Sequence, residues 1–322
     1  MIDNTEYNTE YNTEQENIII NYDNKKNTPL SLKIICGLTG FFFFIELIIG
    51  IYTKSLALQA DALHMASDFI SLLVAIYSQR VSNYKPNEIY TYGYKRAEVI
   101  GGFANAVFLL SSCLFIILES IHKFIELYNG TIIIENIASL VIVGFIGLLI
   151  NIIGIIGLHF CSNDEHIHSQ NIKGVFLHLL GDLLGSIGVI CSAFIMYYWE
   201  NLGGNINSKY KYISDPISGL FIVILILYST IKLLKECLHI LLDGVPTDID
   251  LPTLKTELLE LEGIEDLDKI HLWQLNNDNI IFSSHITNNV NYELKNIMTN
   301  IKTVLDKYRI NYYTIQPNII CN

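Results

Sequence analysis

The sequence predicts a membrane-embedded bundle of six helices followed by a small soluble α+β domain. Three observations predict it. Six long apolar runs follow one another between about residues 32 and 242. Charged residues make up only 16 % of the 322-residue chain, against about 25 % in ordinary soluble domains, while hydrophobic types reach 51 %. After Pro246 the composition becomes acidic and charged, with short alternating segments.

Residues 1–31 form a polar, acidic tail in which Asn-Thr-Glu-Tyr repeats from Asn4. Such a segment cannot bury a core and is expected to be disordered. It has no apolar stretch, so no cleavable leader is expected. The next 32–244 form the membrane domain. A spanning helix needs ~20 apolar residues. The runs Lys33–Thr53, Ala57–Ser82, Ala97–Phe124, Ile132–Leu158, Gly174–Trp199 and Ile217–Leu242 meet that length. The third and sixth are long enough to tilt or to extend past the bilayer. An even number of spans returns the chain to the side on which it began. That side carries Lys25, Lys26, Lys33, Arg80, Lys85, Lys95, Arg96 and Lys173, and the other Lys54, Lys123, Lys209 and Lys211. The excess places both termini in the cytoplasm.

Residues 245–322 form a cytoplasmic domain. Leu251–Leu261 and Tyr292–Tyr308 carry apolar residues at helical spacing. Asp268–Leu275, Asn279–Thr287 and Ile310–Gln316 are rich in β-branched and aromatic residues and predict strands. The order αββαβ predicts helices packed on one face of a sheet. A core this small is marginal alone, which favours dimerisation. The net charge of −12 argues against a nucleic-acid partner. Six scattered Cys without a CxxC argue against a disulfide scaffold or a zinc-finger module.

Chemistry is concentrated in two of the apolar runs. Charged groups inside a span are costly, about 2.5–3.5 kcal/mol each, and those that remain line a pathway. The second run contains Asp61, His64 and Asp68, and the fifth His178 and Asp182. His-x-x-x-Asp places both side chains on one helix face. The spacing occurs three times, at His64/Asp68, His178/Asp182 and His239/Asp243, but the third falls at the polar end of the last run. Asp61 shares the face of His64 and Asp68. Two such helices side by side supply two imidazoles and two carboxylates, a tetrahedral set suited to zinc. No thiolate sits on this face, which disfavours Cu(I) and eases release of the ion. Gly181, Gly185 and Gly188 in the fifth run, and Ala57, Ala60, Ala62 and Ala66 in the second, permit close approach. Glu46 should face the bundle interior, and Asn105 and Asn151 could support the ligands or bond between helices. His159, Cys161, His166 and His168 form a short metal-ligand-bearing loop after the fourth run. His271, His285 and Cys321 are candidate ligands in the C-terminal domain.

Together, these segments resemble the cation diffusion facilitator family, in particular its eukaryotic zinc transporters. The resemblance rests on Gln59-Ala-Asp-Ala-Leu-His-Met-Ala-Ser-Asp68, on Thr91 to Gly101, and on Val175-Phe-Leu-His-Leu-Leu-Gly-Asp182. Asp215-Pro216, Leu242 to Pro246 and His271-Leu-Trp273 follow in order, so that Lys33–Gln316 is covered. The resemblance implies a homodimer of six-span protomers with a ferredoxin-like cytoplasmic domain. It implies export of Zn2+ from the cytosol, in exchange for H+, into a vacuole- or Golgi-like organelle or across the plasma membrane. Zinc would be cargo, with no cofactor. His64, Asp68, His178 and Asp182 match the transport site, and two His within it favour zinc over manganese. Arg96 and Asp243 correspond to a charge pair near the dimer seam. By the same resemblance, spans one, two, four and five rock against a three–six pair. Alternatives are transport of Cd, Co or Mn, and a zinc-sensing receptor through which nothing passes. An intramembrane metalloenzyme is disfavoured, because no His-Glu dipeptide exists to begin a His-Glu-x-x-His helix.

Overall fold

The computed structural model describes residues 30–53, 56–130, 137–161, 170–199, 212–289, 292–310 and 312–318. The tail expected to be disordered lies, up to residue 29, outside the described residues. Six helices come first: α1 (Leu30–Thr53), α2 (Leu56–Ser82), α3 (Arg96–Asn129), α4 (Ile137–Cys161), α5 (Gln170–Tyr197) and α6 (Ser214–Leu241). Each overlaps one apolar run. Among the described residues α3, α5 and α6 are long and apolar enough to cross a membrane. α1 and α4 contribute the shorter apolar stretches Leu32–Ile45 and Phe145–Leu158. α2 is diluted by Asp61, His64, Asp68, Gln79 and Arg80.

Among the described residues, the apolar core of the bundle falls into two clusters. Leu32, Ile35, Leu72, Ala75, Leu158, Val175 and Leu179 join α1, α2, α4 and α5. Val99, Ala106, Leu233, Cys237 and Ile240 join α3 to α6. α5 begins four residues ahead of the apolar run, because Gln170 and Asn171 are themselves buried against neighbouring helices. α3 runs on to Asn129, where Gly130, at φ 73°, turns its N–H back onto the last-turn carbonyls. α6 ends in a tight turn: Asp243 is left-handed at φ 57°, and the Gly244 N–H donates to the His239 carbonyl at 2.9 Å. A side chain at Gly244 would overlap the His239 ring, which would have to shift.

The C-terminal domain comprises α7 (Leu251–Leu259), β1 (Ile264–Asn276), β2 (Asn279–Asn288), α8 (Leu294–Lys307) and β3 (Tyr312–Asn318). Its sheet has the order β1-β2-β3, with β1 antiparallel and β3 parallel to β2. Leu254 and Leu258 of α7 and Ile297, Ile301 and Leu305 of α8 pack with Leu267, Leu272, Phe282 and Ile286 of the sheet. The α8 residues recur every four positions, so one stripe of the helix is apolar and meets the sheet. β1 starts four residues before the expected strand. Register irregularities between Ile264 and Asp266 and between Asp268 and His271 hide it from simple alternation.

The domain sits at one end of the bundle, held by the β1–β2 turn. Asn276 Nδ2 donates to the buried Glu98 carboxylate at 3.3 Å, at the start of α3. Gln170 Nε2 at the start of α5 donates to Asn277 Oδ1 at 3.4 Å. Arg96 pairs with Asp243 at the same end. This is the domain end of the bundle, and the opposite end is its far end.

Candidate metal centre

α2 runs from the far end towards the domain end and α5 runs the other way. Asp68 lies near the middle of α2, while His178 and Asp182 lie one turn apart on α5. Antiparallel packing brings them to one level. His178 Nε2 is 3.0 Å from Asp68 Oδ1 and 3.7 Å from Asp182 Oδ2. One ligand atom from each residue lies within 4.8 Å of the others. No other set of three or more metal-ligating side chains comes this close among the described residues. His178 and Asp68 are buried and Asp182 is half-buried. Two carboxylates around one imidazole in an apolar bundle are costly to maintain. They create a strongly negative site, which a divalent cation offsets. Both ring nitrogens of His178 are buried without a hydrogen bond among the described residues. An imidazole left in that state is chemically suited to binding a metal.

The local sequence explains the placement. Leu179 anchors α5 in the four-helix cluster, next to His178. Gly181 leaves room for Ile226 of α6, whose Cδ1 would lie 3.1 Å from an added Cβ. The Ser186 hydroxyl donates to the Asp182 carbonyl at 3.0 Å.

A cavity of about 340 Å³ opens from this centre. All three residues line it, with Thr39 of α1, Ser112 of α3 and Asn151 of α4. It continues to Glu119, Lys123 and Asp215 near the far end. The domain end is closed instead. Asn171 Nδ2 donates to the Ala75 carbonyl at 2.8 Å, joining α5 to α2. A Cβ at Gly101 would overlap the Ser78 hydroxyl and lie 2.9 Å from Asn171 Oδ1, and one at Gly102 would lie 2.8 Å from the Gln170 backbone. Three helices meet there at backbone distance.

The expected site residues fall into distinct groups. Asp68, His178 and Asp182 come together. His64 and Asp61 lie on α2, but their side chains are outside the described residues, as are those of His159 and Glu46. His166, His168 and Cys321 lie outside the described residues. His271 is exposed on β1 and His285 half-buried on β2. Neither joins a group of three ligands among the described residues. Asn151 lines the cavity, whereas Asn105 packs beside Gly174 at the domain end. Arg96 and Asp243 form an ion pair. Sequence reasoning missed that Glu119, Lys123 and Asp215 share the cavity with the centre. The i,i+4 spacing of Glu119 and Lys123 was the available signal.

The profile of the cation efflux transmembrane domain matches residues 32–242. "Zinc homeostasis factor 1" of Schizosaccharomyces pombe is 29 % identical, covering 92 % of this chain and 96 % of its own. "Vacuolar zinc transporter ZRC1" of Saccharomyces cerevisiae is 28 % identical over 91 % of this chain and 84 % of its own. A "Cadmium, cobalt and zinc/H(+)-K(+) antiporter" of Bacillus subtilis is 31 % identical over 91 % and 88 %.

Proposed function

Because the chain belongs to the cation efflux family, the cation diffusion facilitators, which are transporters and not enzymes, we propose that it carries Zn2+ across a membrane through the Asp68–His178–Asp182 centre. The observation that carries this reading is the convergence of those three ligands from two helices at the base of a cavity. His64, one turn from Asp68 on α2, supplies the fourth ligand. A mixed imidazole–carboxylate set suits zinc.

Zinc requires neutral imidazole and ionised carboxylate, so metal and protons compete for the same atoms. An unperturbed imidazole titrates near ~6.5, so an acidic compartment at the far end favours release of the metal in exchange for protons. The relative named as an H(+)-K(+) antiporter supports this coupling. All six helices span the bilayer, with both termini and the ferredoxin-like αββαβ domain in the cytoplasm. The protein acts as a homodimer, with the Arg96–Asp243 pair near its seam. Alternation comes from the α1–α2–α4–α5 cluster rocking against the α3–α6 pair, in line with the division of the apolar core. The conformation described is closed at the domain end and open towards the far end. The membrane is that of a vacuole-like organelle, in line with the vacuolar relative. Cadmium and cobalt form a second cargo reading, which rests on the printed name of the Bacillus relative.

Purified protein in vesicles that enclose a zinc dye and an acidic lumen tests this reading. Added zinc should enter, and an uncoupler should halt entry. Zinc binding without entry would mean a sensor, and entry that ignores the uncoupler would mean a channel.

A further inference from the structure

Lys123 sits between two carboxylates at the far end of the cavity. Its ammonium is 2.7 Å from Asp215 Oδ2 on α6 and 2.9 Å from Glu119 Oε1, one turn back on α3. All three residues line the cavity that holds Asp68, His178 and Asp182. The lysine side chain is 38 % exposed. The carboxylates are carried on a firmly joined helix pair. A Cβ at Gly219 of α6 would lie 3.2 Å from the Ser120 hydroxyl of α3, and the Ser218 hydroxyl donates to the Asp215 carbonyl at 2.8 Å. The helices that carry the two acids therefore stay in contact whether or not the lysine lies between them.

We propose that Lys123 is a built-in competitor of the departing cation, its ammonium occupying the position where a divalent metal would bridge Glu119 and Asp215. Two carboxylates within reach of one nitrogen are also within reach of one metal ion, and oxygen ligands suit any divalent cation. Left vacant on the release route, they would capture the ion that leaves the central site. A tethered ammonium is a permanent occupant: it cancels part of the negative charge and cannot diffuse away. The charge at the cavity mouth then draws cations outward without holding them. This inference rests on the transport reading for its purpose, but not for its chemistry.

Equilibrium zinc binding to the purified full-length protein tests it. The parent carries His178→Ala and Asp182→Ala, which silence the central site. Adding Lys123→Gln should raise the zinc count by about one per chain over that parent, because a divalent site replaces an ion pair. Lys123→Arg should add none, and Asp215→Asn on top of Lys123→Gln should remove the gain. With the central site intact, Lys123→Gln should lower by about tenfold the far-side zinc that halves flux, a difference of ~1.4 kcal/mol in affinity. An unchanged count in Lys123→Gln or, should that variant misfold, in Lys123→Ser overturns the proposal. So does a gain that survives Asp215→Asn. A protein that moves no zinc at all would overturn the transport reading, while the binding count would still decide the lysine's role.

Discussion

The two ends of the bundle are built on opposite principles. At the domain end, α2, α3 and α5 meet through Ala75, Ser78, Gly101, Gly102 and Gly174, close enough that added side chains would collide. At the far end, a cavity opens that is lined by Glu119 and Lys123 of α3 and Asp215 of α6. The closed end is nevertheless not a comfortable core. Neither amide atom of Asn105 has a hydrogen bond among the described residues, and the side-chain oxygens of Gln79, Gln170 and Asn171 lack one as well. Each buried orphan costs about 1–3 kcal/mol, and native interiors hold few of them. The difference between the ends is that the metal centre connects to the far end through a cavity and is sealed from the domain end by helices at backbone distance.

The largest break in this comparison is a wedge at the closed end. Gly101→Val overlaps the Ser78 hydroxyl, and overpacking of this kind costs about 1–3 kcal/mol. Zinc flux in vesicles should fall by more than about tenfold, and hydrogen exchange at the end of α2 should quicken. Normal flux in this variant would show that the glycine contacts do not close the path.

Asn105→Leu sharpens the comparison from the other direction. It removes two orphaned amide atoms without enlarging the seam, so the closed arrangement gains about 1–2 kcal/mol. Thermal stability should rise while transport slows. A variant that is both less stable and slower would show that Asn105 has partners in the closed state.

The latch between domain and bundle should matter less. Asn276→Ala removes the amide that donates to Glu98, a bond of about 1 kcal/mol, and exposes the β1–β2 turn. Hydrogen exchange in the turn should rise without loss of zinc binding. Equal protection in the variant would assign docking to the Gln170–Asn277 contact instead.

The smallest effect belongs to the surface of the C-terminal domain. Lys307 and Tyr308 both bond to the Glu257 carboxylate, at 2.8 and 2.9 Å, and hold it below the usual carboxylate range. The same bond raises Lys307 above the ordinary lysine value. A depressed acid stabilises above its unfolded pKa and loses that contribution as pH falls through the folded one. A raised lysine stabilises below its unfolded pKa and loses it as pH rises through the folded one. Glu257→Gln should therefore loosen the α7–α8 contact slightly at neutral pH and match the wild type at strongly acid pH. Hydrogen exchange of α8 at the two pH values checks this, and a difference that persists in acid would contradict the assignment.

Much of the architecture is visible in the sequence because membrane helices and His-x-x-x-Asp pairs are local patterns. Six apolar runs mark six helices, and the i,i+4 spacing puts His178 and Asp182 on one face. What is not local is not visible. The 3.0 Å approach of Asp68 to His178 depends on the register between α2 and α5. The early start of α5 is hidden because Gln170 and Asn171 look like loop residues and become buried only through their neighbours. The junction of Lys123 with Asp215 joins residues on separate helices, and β1 is masked by its register irregularities. The expected ligands His271 and His285 are adjacent in chemistry but lie on strands that bring no third group to them among the described residues.

Zinc entry into dye-loaded vesicles by the His178→Ala protein, beside the wild type, tests the central claim most directly. His178 is the side chain both carboxylates approach, so under the proposed assignment the folded variant should lose entry. A folded His178→Ala protein that admits zinc at the wild-type rate would contradict the assignment of the transport site to this centre.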